Sequence, residues 1–141
     1  MRIANNLIIS SGVIIINNDG KILLIKPKNL PEGQYSLPKG IINQGESLKM
    51  AAIREAYEEI GISLNLKDLG KQYIINYFNK GVLTKRVFCY LTKLSKSKEQ
   101  EFIPKLQKEE VDSYGFYDKN EFEKLVFWRF LPLSKINEIW N

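Results

Sequence analysis

Residues 40–62 read GIINQGESLKMAAIREAYEEIGI, and their second half has the pattern of a single α-helix. Ser47 is suited to cap the N-terminus of this helix, and Gly61 is suited to end it in a left-handed conformation. Successive helical residues turn by about 100°, which places large apolar side chains on one stripe. The residues predicted to form the buried stripe are Met50, Ile53, Tyr57 and Ile60.

Three glutamates, Glu55, Glu58 and Glu59, fall on the opposite stripe of the same helix. Like charges three and four residues apart repel by a few tenths of a kcal/mol per pair, roughly. The neighbouring bases Lys49 and Arg54 do not sit where they would relieve all three. A divalent cation would relieve the repulsion among all three glutamates. An oxygen-only ligand set favours Mg²⁺ or Mn²⁺. A solvated acidic face is the alternative interpretation.

The charged residues and glycines of this stretch keep a fixed spacing. Gly40, five residues, Glu46, seven residues and then the run 54–62 resemble the Nudix box, G-x5-E-x7-R-E-U-x-E-E-x-G-U, where U is bulky and aliphatic. The departure is Ala56 at the first U position, where the residue serves only to pack. Tyr35-Ser-Leu-Pro-Lys-Gly40 leads into the box with an aromatic followed by Leu-Pro-x-Gly, as Nudix hydrolases often do.

A chain of 141 residues with 44% hydrophobic and 26% charged residues is typical of one soluble globular domain, here residues 1–141. The N-terminus lacks a signal-peptide pattern, and no apolar run approaches the roughly 20 residues that a membrane helix needs. We therefore expect a cytoplasmic protein without membrane association.

Histidine is absent, which excludes Ser-His-Asp and Cys-His catalysis and any zinc site that needs imidazole. Cys89 is the single cysteine, so there is no intrachain disulfide, and its strand-like surroundings predict a buried, inert thiol. The net charge of +5 favours anionic partners such as nucleotides. The lysines are scattered rather than clustered, so we expect no DNA binding, and RNA is a less favoured partner than a small nucleotide.

The rest of the chain alternates strand-like and turn-like segments. Asp19-Gly20 and Asn79-Lys80-Gly81 predict hairpin turns, and 27–33, 64–70 and 96–101 read as loops or connections. The predicted strands are 7–16, 21–26, 73–78, 85–94 and 114–117. The predicted helices after the box are 120–127 and 133–140, the latter with Pro132 near its start. This order indicates an α/β protein, and the Nudix resemblance implies an α/β/α sandwich with a mixed central β-sheet.

The resemblance also implies a Mg²⁺-dependent hydrolase, with Mn²⁺ as a possible substitute. In the family pattern Glu58 and Glu59 are metal ligands, Glu55 is a third ligand or the general base, and Arg54 orients a glutamate. The backbone carbonyl of Lys39 would also hold the metal, and its ammonium would either meet a phosphate or be solvated. Glu46 would support the loop and helix. A further glutamate from a later loop would be Glu109 or, preferably, Glu110; both could equally form an exposed acidic pair.

The substrate is less constrained by these residues. Tyr77 lies where diadenosine polyphosphate hydrolases carry a tyrosine, and it would either stack on an adenine or pack in the core. A basic segment and a Glu-x-x-x-Tyr-x-aromatic pattern follow in the same order as in that subfamily. The residues that match are Lys80, Lys85, Arg86, Glu110, Tyr114 and Phe116.

The favoured hypothesis is therefore asymmetric cleavage of diadenosine tetraphosphate to ATP and AMP. The alternatives are a (d)NTP pyrophosphatase that releases pyrophosphate, an RNA 5′-pyrophosphohydrolase, and a silent Nudix domain that binds a nucleotide or RNA. The sequence leaves open whether the protein is a monomer or a homodimer, and which glutamate acts as the base.

Overall fold

A computed structural model describes residues 2–30 and 34–141. The strands in these residues are β1 (Arg2–Ile16), β2 (Ile22–Pro27), β3 (Lys39–Ile41), β4 (Gln72–Asn79), β5 (Val82–Lys93) and β6 (Val111–Tyr117). The α-helices are α1 (Leu48–Ile60), α2 (Lys96–Glu101), α3 (Lys119–Leu125) and α4 (Asn137–Trp140). Two 3₁₀ segments cover Leu66–Asp68 and Trp128–Lys135.

The strands form one mixed sheet in the order β4-β5-β1-β2-β6, with β3 also paired to β1. β1 and β5 run parallel, and the other pairs are antiparallel. β1 meets β2 at the pair Ile16 and Ile22, beyond which β2 pairs with β6. The mixed sheet predicted from the sequence is confirmed.

Both predicted turns are present. The Asn17 N–H donates to the Lys21 carbonyl at 2.9 Å and closes the first hairpin. Between β4 and β5, Lys80 and Gly81 have φ values of 50° and 77°, which suit a two-residue turn that follows the strand twist. The predicted loop 27–33 is described only up to Leu30, and residues 31–33 lie outside the described part of the chain.

Apolar side chains cover both faces of the sheet. On one face, α1 packs its Ala52, Ala56 and Ile60 against Val13 and Ile15 of β1. On the other face, the C-terminal helices contribute Phe122, Phe130, Leu133 and Ile139 to a second core with Ile14 and Leu24. Helices on both faces of a mixed sheet make the predicted three-layer α/β/α architecture, which is confirmed.

The predicted buried stripe of α1 is confirmed at Ile60 and, in part, at Ile53, which packs against the core, but it is wrong at Met50 and Tyr57. Met50 is 48% exposed and Tyr57 is 61% exposed, whereas Ala51, Ala52 and Ala56 are fully buried. Small side chains allow the helix backbone to approach the sheet closely, and the Ser11 hydroxyl even donates to the Leu48 carbonyl at 2.6 Å. A consequence is that the side of α1 bearing Glu55 and Glu59 turns towards the protein rather than into solvent.

Two other predictions also need correction. Residues 96–101, predicted as a loop, form α2, because the Ser95 hydroxyl accepts the Lys98 N–H and caps the first turn. The predicted closing helix 133–140 is divided: the 3₁₀ segment Trp128–Lys135 contains Pro132, and α4 begins only at Asn137. Within the described residues, no helix is both long enough and apolar enough to cross a membrane.

Candidate active site

A cavity of about 670 Å³ lies between the approach to α1, the end of β2 and the second 3₁₀ segment. Carboxylates and cations that the sequence analysis selected share its lining. The charged residues concerned are Lys39, Arg54, Glu55, Glu59, Lys85, Glu109 and Glu110. These charged residues are up to 71 positions apart in sequence, and they meet because β3, α1, β5 and the segment before β6 converge there.

Gly40 fixes the distance between β3 and α1. A Cβ built at this position would lie 2.2 Å from Cδ of Glu55 and 2.3 Å from each of its carboxylate oxygens. The Glu55 carboxylate would have to move away from its present position, and so from its contact with Arg54, to relieve this overlap. The glycine of the box is thus needed for close approach of the main chain to this carboxylate.

Glu59 is nearly buried, with 8% of its surface exposed. The Lys39 backbone N–H donates to its Oε1 at 2.7 Å. Burial and the nearby negative charge of Glu55 nevertheless raise the pKa of Glu59 to about 8. In the metal-free protein this carboxyl group therefore holds a proton at neutral pH.

Glu55 has a raised pKa as well, chiefly because burial penalises its charged form. Arg54 opposes that rise, since its Nη1 donates to Glu55 Oε1 at 2.8 Å. The charges of Glu58 and Glu110 add smaller contributions in the upward direction. Two adjacent carboxyl groups that resist ionisation favour a bound cation at this place.

Arg54 organises the glutamates around it. Its Nε and Nη2 donate to the two carboxylate oxygens of Glu46 at 2.8 and 2.9 Å, a bidentate pair that raises the pKa of Arg54 and lowers that of Glu46. Glu46 also accepts the Asn43 N–H at 3.0 Å, so it ties the loop before α1 to the helix. The pairing that the resemblance assigns to Arg54 is therefore made with Glu46, while Glu55 receives a single contact.

Glu58 does not line the cavity. Its side chain is 47% exposed and accepts from Arg54 Nη1 at 3.2 Å, four residues earlier on the helix. The structure thus brings Glu55 and Glu59 together in the cavity and leaves Glu58 at its edge, beside Arg54.

The segment before β6 is held against the C-terminal end of α1. The Lys105 and Gln107 N–H groups donate to the carbonyls of Ile60 and Glu59 at 2.8 and 3.1 Å. This arrangement brings both Glu109 and Glu110 to the cavity. The charge of Glu110 raises the pKa values of Glu55 and Glu59, so Glu110 lies within electrostatic reach of both.

The cavity also holds a lysine pair. The pKa of Lys85 is lowered to about 8, because the side chain is half-buried and lies close to the Lys39 ammonium. Lys85 Nζ also lies 5.1 Å from the ring centroid of Tyr77. An anion between the two ammonium groups would relieve their repulsion, as a cation would relieve that of the glutamates.

Tyr77 lines the cavity but is packed on several sides. Its ring lies 6.2 and 6.3 Å from those of Phe127 and Phe130, and the Arg129 guanidinium is 4.8 Å from its centroid. Phe127, Arg129 and Phe130 are not among the site residues predicted from the sequence. The run Phe127-Trp-Arg-Phe130 is aromatic and basic, but it falls at the end of the predicted helix 120–127 and in the connection that follows it.

The residues around Glu55 and Glu59 can hold a divalent cation only together with other oxygen ligands. In the described ranges, 2–30 and 34–141, no three acidic, histidine or cysteine side chains are gathered closely enough to hold an ion by themselves. Mg²⁺ commonly needs only one or two carboxylates, with phosphate and water oxygens completing its shell. Glu55 and Glu59 would supply two carboxylate ligands beside a lysine pair suited to phosphate, so the residues fit a cation bound together with a phosphorylated ligand. The Lys39 carbonyl remains a predicted ligand.

Comparison with known proteins decides the family. The model of the NUDIX domain matches residues 7–135, which is most of the chain. The chain belongs to the Nudix family. Its Gly40, Glu46, Arg54 and glutamate set is accordingly the Nudix box, with Ala56 as the one departure.

Curated relatives of this Nudix chain match over shorter stretches. An ADP-ribose pyrophosphatase of Methanocaldococcus jannaschii is 46% identical over 56 residues, which cover 39% of this chain and 33% of that protein. An RNA pyrophosphohydrolase of Actinobacillus pleuropneumoniae is 36% identical over 76 residues, which cover 54% of this chain and 35% of the relative. The matched stretch thus spans about a third of these relatives.

Solved structures resemble the Nudix chain over most of its length. A MutT protein from Methanosarcina mazei has a TM-score of 0.73 at 22% identity, with 92% of this chain and 91% of that chain covered. A C. elegans Ap4A hydrolase in a binary complex has a TM-score of 0.70 at 23% identity, with 91% and 93% covered. At these identities the likeness establishes a shared fold.

Proposed function

We propose that this Nudix chain is a hydrolase that cleaves a phosphoanhydride bond of a nucleoside polyphosphate with the help of Mg²⁺, or of Mn²⁺ in its place. The observation that carries the proposal is the coexistence, in one cavity, of a buried and a half-buried carboxyl group, Glu59 and Glu55, with two crowded ammonium groups. Each pair is unfavourable alone, and a metal–polyphosphate complex supplies the opposite charge to both.

Different residues of the cavity have different roles in the proposed reaction. Glu55, Glu58 and Glu59 would hold the cation, which neutralises phosphate charge and activates water when bound. Arg54 keeps Glu55 oriented through their 2.8 Å contact, and it is itself fixed by Glu46. Lys39 and Lys85 bind phosphate oxygens of the substrate. These contacts position the polyphosphate and stabilise the charge that develops on the phosphoryl group being attacked.

A carboxylate acts as the general base and accepts the proton of the attacking water. Glu55 and Glu110 are the candidates, because Glu55 lies in the cavity with a raised pKa and Glu110 is within electrostatic reach of it. A base is effective when its pKa is near the working pH, and burial moves Glu55 in that direction.

Diadenosine tetraphosphate is the proposed substrate, cleaved asymmetrically to ATP and AMP. Tyr77, Lys85 and the pattern from Glu110 to Phe116 support this choice through their resemblance to that subfamily. An RNA 5′-pyrophosphohydrolase is the second candidate, because relatives of that name are 36% identical over about half of this chain. No membrane partner or DNA is proposed, and the cytoplasm is the proposed location.

A substrate panel with product identification tests the proposal. Diadenosine tetraphosphate, dNTPs, ADP-ribose and a short 5′-triphosphate RNA would each be incubated with the protein and Mg²⁺ and resolved by anion-exchange chromatography. ATP plus AMP in equal amounts from the first compound supports the proposal. Release of pyrophosphate from the RNA supports the second candidate, and no cleavage of any compound in Mg²⁺ or Mn²⁺ contradicts both.

A further inference from the structure

A second cavity, of about 250 Å³, lies between the end of β5, the start of α2 and the first 3₁₀ segment. In the described part of the chain it shares no lining residue with the candidate active site. Its lining includes three hydroxyl-bearing residues, Thr92, Ser95 and Ser97, and the lysines Lys67 and Lys98. Pockets for drug-sized ligands measure roughly 300–1,000 Å³, so this cavity suits a smaller ligand.

The hydroxyl of Thr92 is a buried donor that lacks an acceptor. Thr92 is 1% exposed, and within the described residues its Oγ1 has no hydrogen-bond partner. Because side chains alternate along a strand, Thr92 shares the sheet face of Tyr90 and Leu94, which belong to the core beneath α1. Leu94 also lines the cavity, so the Thr92 side chain lies on the side of the sheet where the cavity is. A buried hydroxyl without a partner is unfavourable.

The ammonium group of Lys98 is a second donor in the same lining. It lies 3.9 Å from Asp68 Oδ2, which is beyond hydrogen-bond distance, although the two side chains are only 26% and 25% exposed. The same carboxylate oxygen already accepts the Asn65 N–H at 2.7 Å. An ammonium group can only donate, so Lys98 and Thr92 both call for an acceptor.

The other charges of the lining differ in how they are engaged. Lys67 is exposed and adds a positive charge. The Lys93 ammonium donates to the Asn141 carbonyl at 2.7 Å and is thus used elsewhere. Glu101 is an exposed carboxylate in the last turn of α2, and it would weakly repel an anion. A metal cation, by contrast, would leave both donors without an acceptor and would meet the ammonium groups of Lys67 and Lys98.

We infer that the second cavity binds a small oxyanion of the size of phosphate, which accepts from the Thr92 hydroxyl and the Lys98 ammonium. Hydrogen bonds between an anion and an ammonium group are among the stronger ones in proteins. The inference is independent of the proposed hydrolase function, because it uses none of the residues of the candidate active site. Inorganic phosphate and pyrophosphate share the required chemistry.

Amide NMR spectra of the whole chain can locate the anion. The protein, in EDTA and at constant ionic strength, would be titrated first with inorganic phosphate and separately with pyrophosphate. We expect saturable shifts at Asp68 and residues 92–98 that give one common dissociation constant. Shifts near Lys39 and Lys85 are fitted separately, because that lysine pair can also bind anions. Saturable binding of either anion at the second cavity supports the inference, and the tighter of the two identifies the ligand.

Thr92→Val removes the hydroxyl and keeps nearly the same shape. It should raise the dissociation constant at the second cavity about tenfold, because a hydrogen bond to a charged group is lost, and leave that near Lys85 unchanged. Thr92→Ser retains a hydroxyl and should bind within about threefold of wild type. Without phosphate, Thr92→Val should unfold at the same or a higher temperature than wild type, and phosphate should raise the unfolding temperature of wild type more.

Two charge substitutions separate an anion site from a cation site. Lys98→Met should raise the dissociation constant about tenfold. Glu101→Gln should lower it about twofold, because a repulsive exposed charge is removed. Lys124→Met, at an exposed position of α3, is the matched control and should bind as wild type. Unsaturable shifts at residues 92–98, an unchanged dissociation constant in Thr92→Val, or weaker binding in Glu101→Gln would each overturn the inference.

Discussion

The backbone N–H of Lys39 donates to Oε1 of Glu59 at 2.7 Å, across 20 residues of sequence. This bond fixes the start of the Nudix box to the last turn of its helix. The same lysine presents its ammonium beside Lys85, so one residue connects the acidic and the basic parts of the cavity.

Glu58→Gln tests whether the edge glutamate joins the metal site. We expect kcat to fall about 100-fold, because a metal-ligand charge is lost, while the thermal unfolding temperature changes little at this exposed position. Glu123→Gln, at an exposed position of α3 that does not line the cavity, is the matched control and should keep most of the activity. Wild-type turnover by Glu58→Gln would remove Glu58 from the mechanism.

The raised pKa of Glu59 should make the stability of the metal-free protein depend on pH. Its folded pKa of about 8 lies above its ordinary value of 4.5, so between these values the folded state retains a proton that the unfolded state releases. In EDTA, the free energy of unfolding should therefore fall as the pH rises from about 5 to 8, by at most about 1.4 kcal/mol per pH unit from this group. Denaturant unfolding at a series of pH values measures it.

Glu59→Gln should remove that part of the slope and leave the protein more stable than wild type near pH 8 without metal. Added Mg²⁺ should stabilise the wild type more than the variant. A variant slope identical to that of the wild type would show that Glu59 ionises normally in the fold.

Gly40→Ala tests the contact between β3 and the box helix. The added methyl group would overlap the Glu55 carboxylate and must displace it. A displacement of about 1 Å can cost on the order of 100-fold in rate, and we expect kcat to fall by about that amount with the circular dichroism spectrum preserved. Ile41→Ala, at the exposed neighbouring position, should retain activity. Full activity of Gly40→Ala would show that the position of Glu55 is not critical.

The substitution Lys85→Met should weaken substrate binding and at the same time stabilise the fold. Removing an ammonium group that is half-buried beside Lys39 relieves repulsion, so the unfolding temperature should rise. The KM for a polyphosphate substrate should increase about tenfold, because a charged contact is lost. Lys21→Met, on the exposed hairpin, should change neither quantity. A fall in stability with unchanged KM would contradict the placement of Lys85 at the phosphates.

The sequence predicted the box helix because its end signals are local. Ser47 accepts the Met50 N–H and Gly61 has a φ of 78°, as their residue types indicated. Its buried face was missed for a different reason. Periodicity gives weight to large apolar side chains, whereas α1 packs through Ala51, Ala52 and Ala56, and burial of a glutamate has no apolar signature.

The cavity itself depends on contacts that are remote in sequence. Lys85 and Glu110 were selected through family resemblance, but their proximity to Lys39 and Glu59 follows from strand order and from the bonds that tie the segment before β6 to α1. The aromatic run Phe127–Phe130 could not be assigned to the cavity from sequence, because its position is set by packing of a 3₁₀ segment against β4.

Isothermal titration of the purified chain with Mn²⁺, in the presence and absence of a nucleoside polyphosphate, tests the central claim most directly. The account predicts metal binding that tightens markedly when the nucleotide is present, and that is lost in a Glu55→Gln, Glu59→Gln double variant. Absence of metal uptake by the wild-type chain under both conditions would contradict the account.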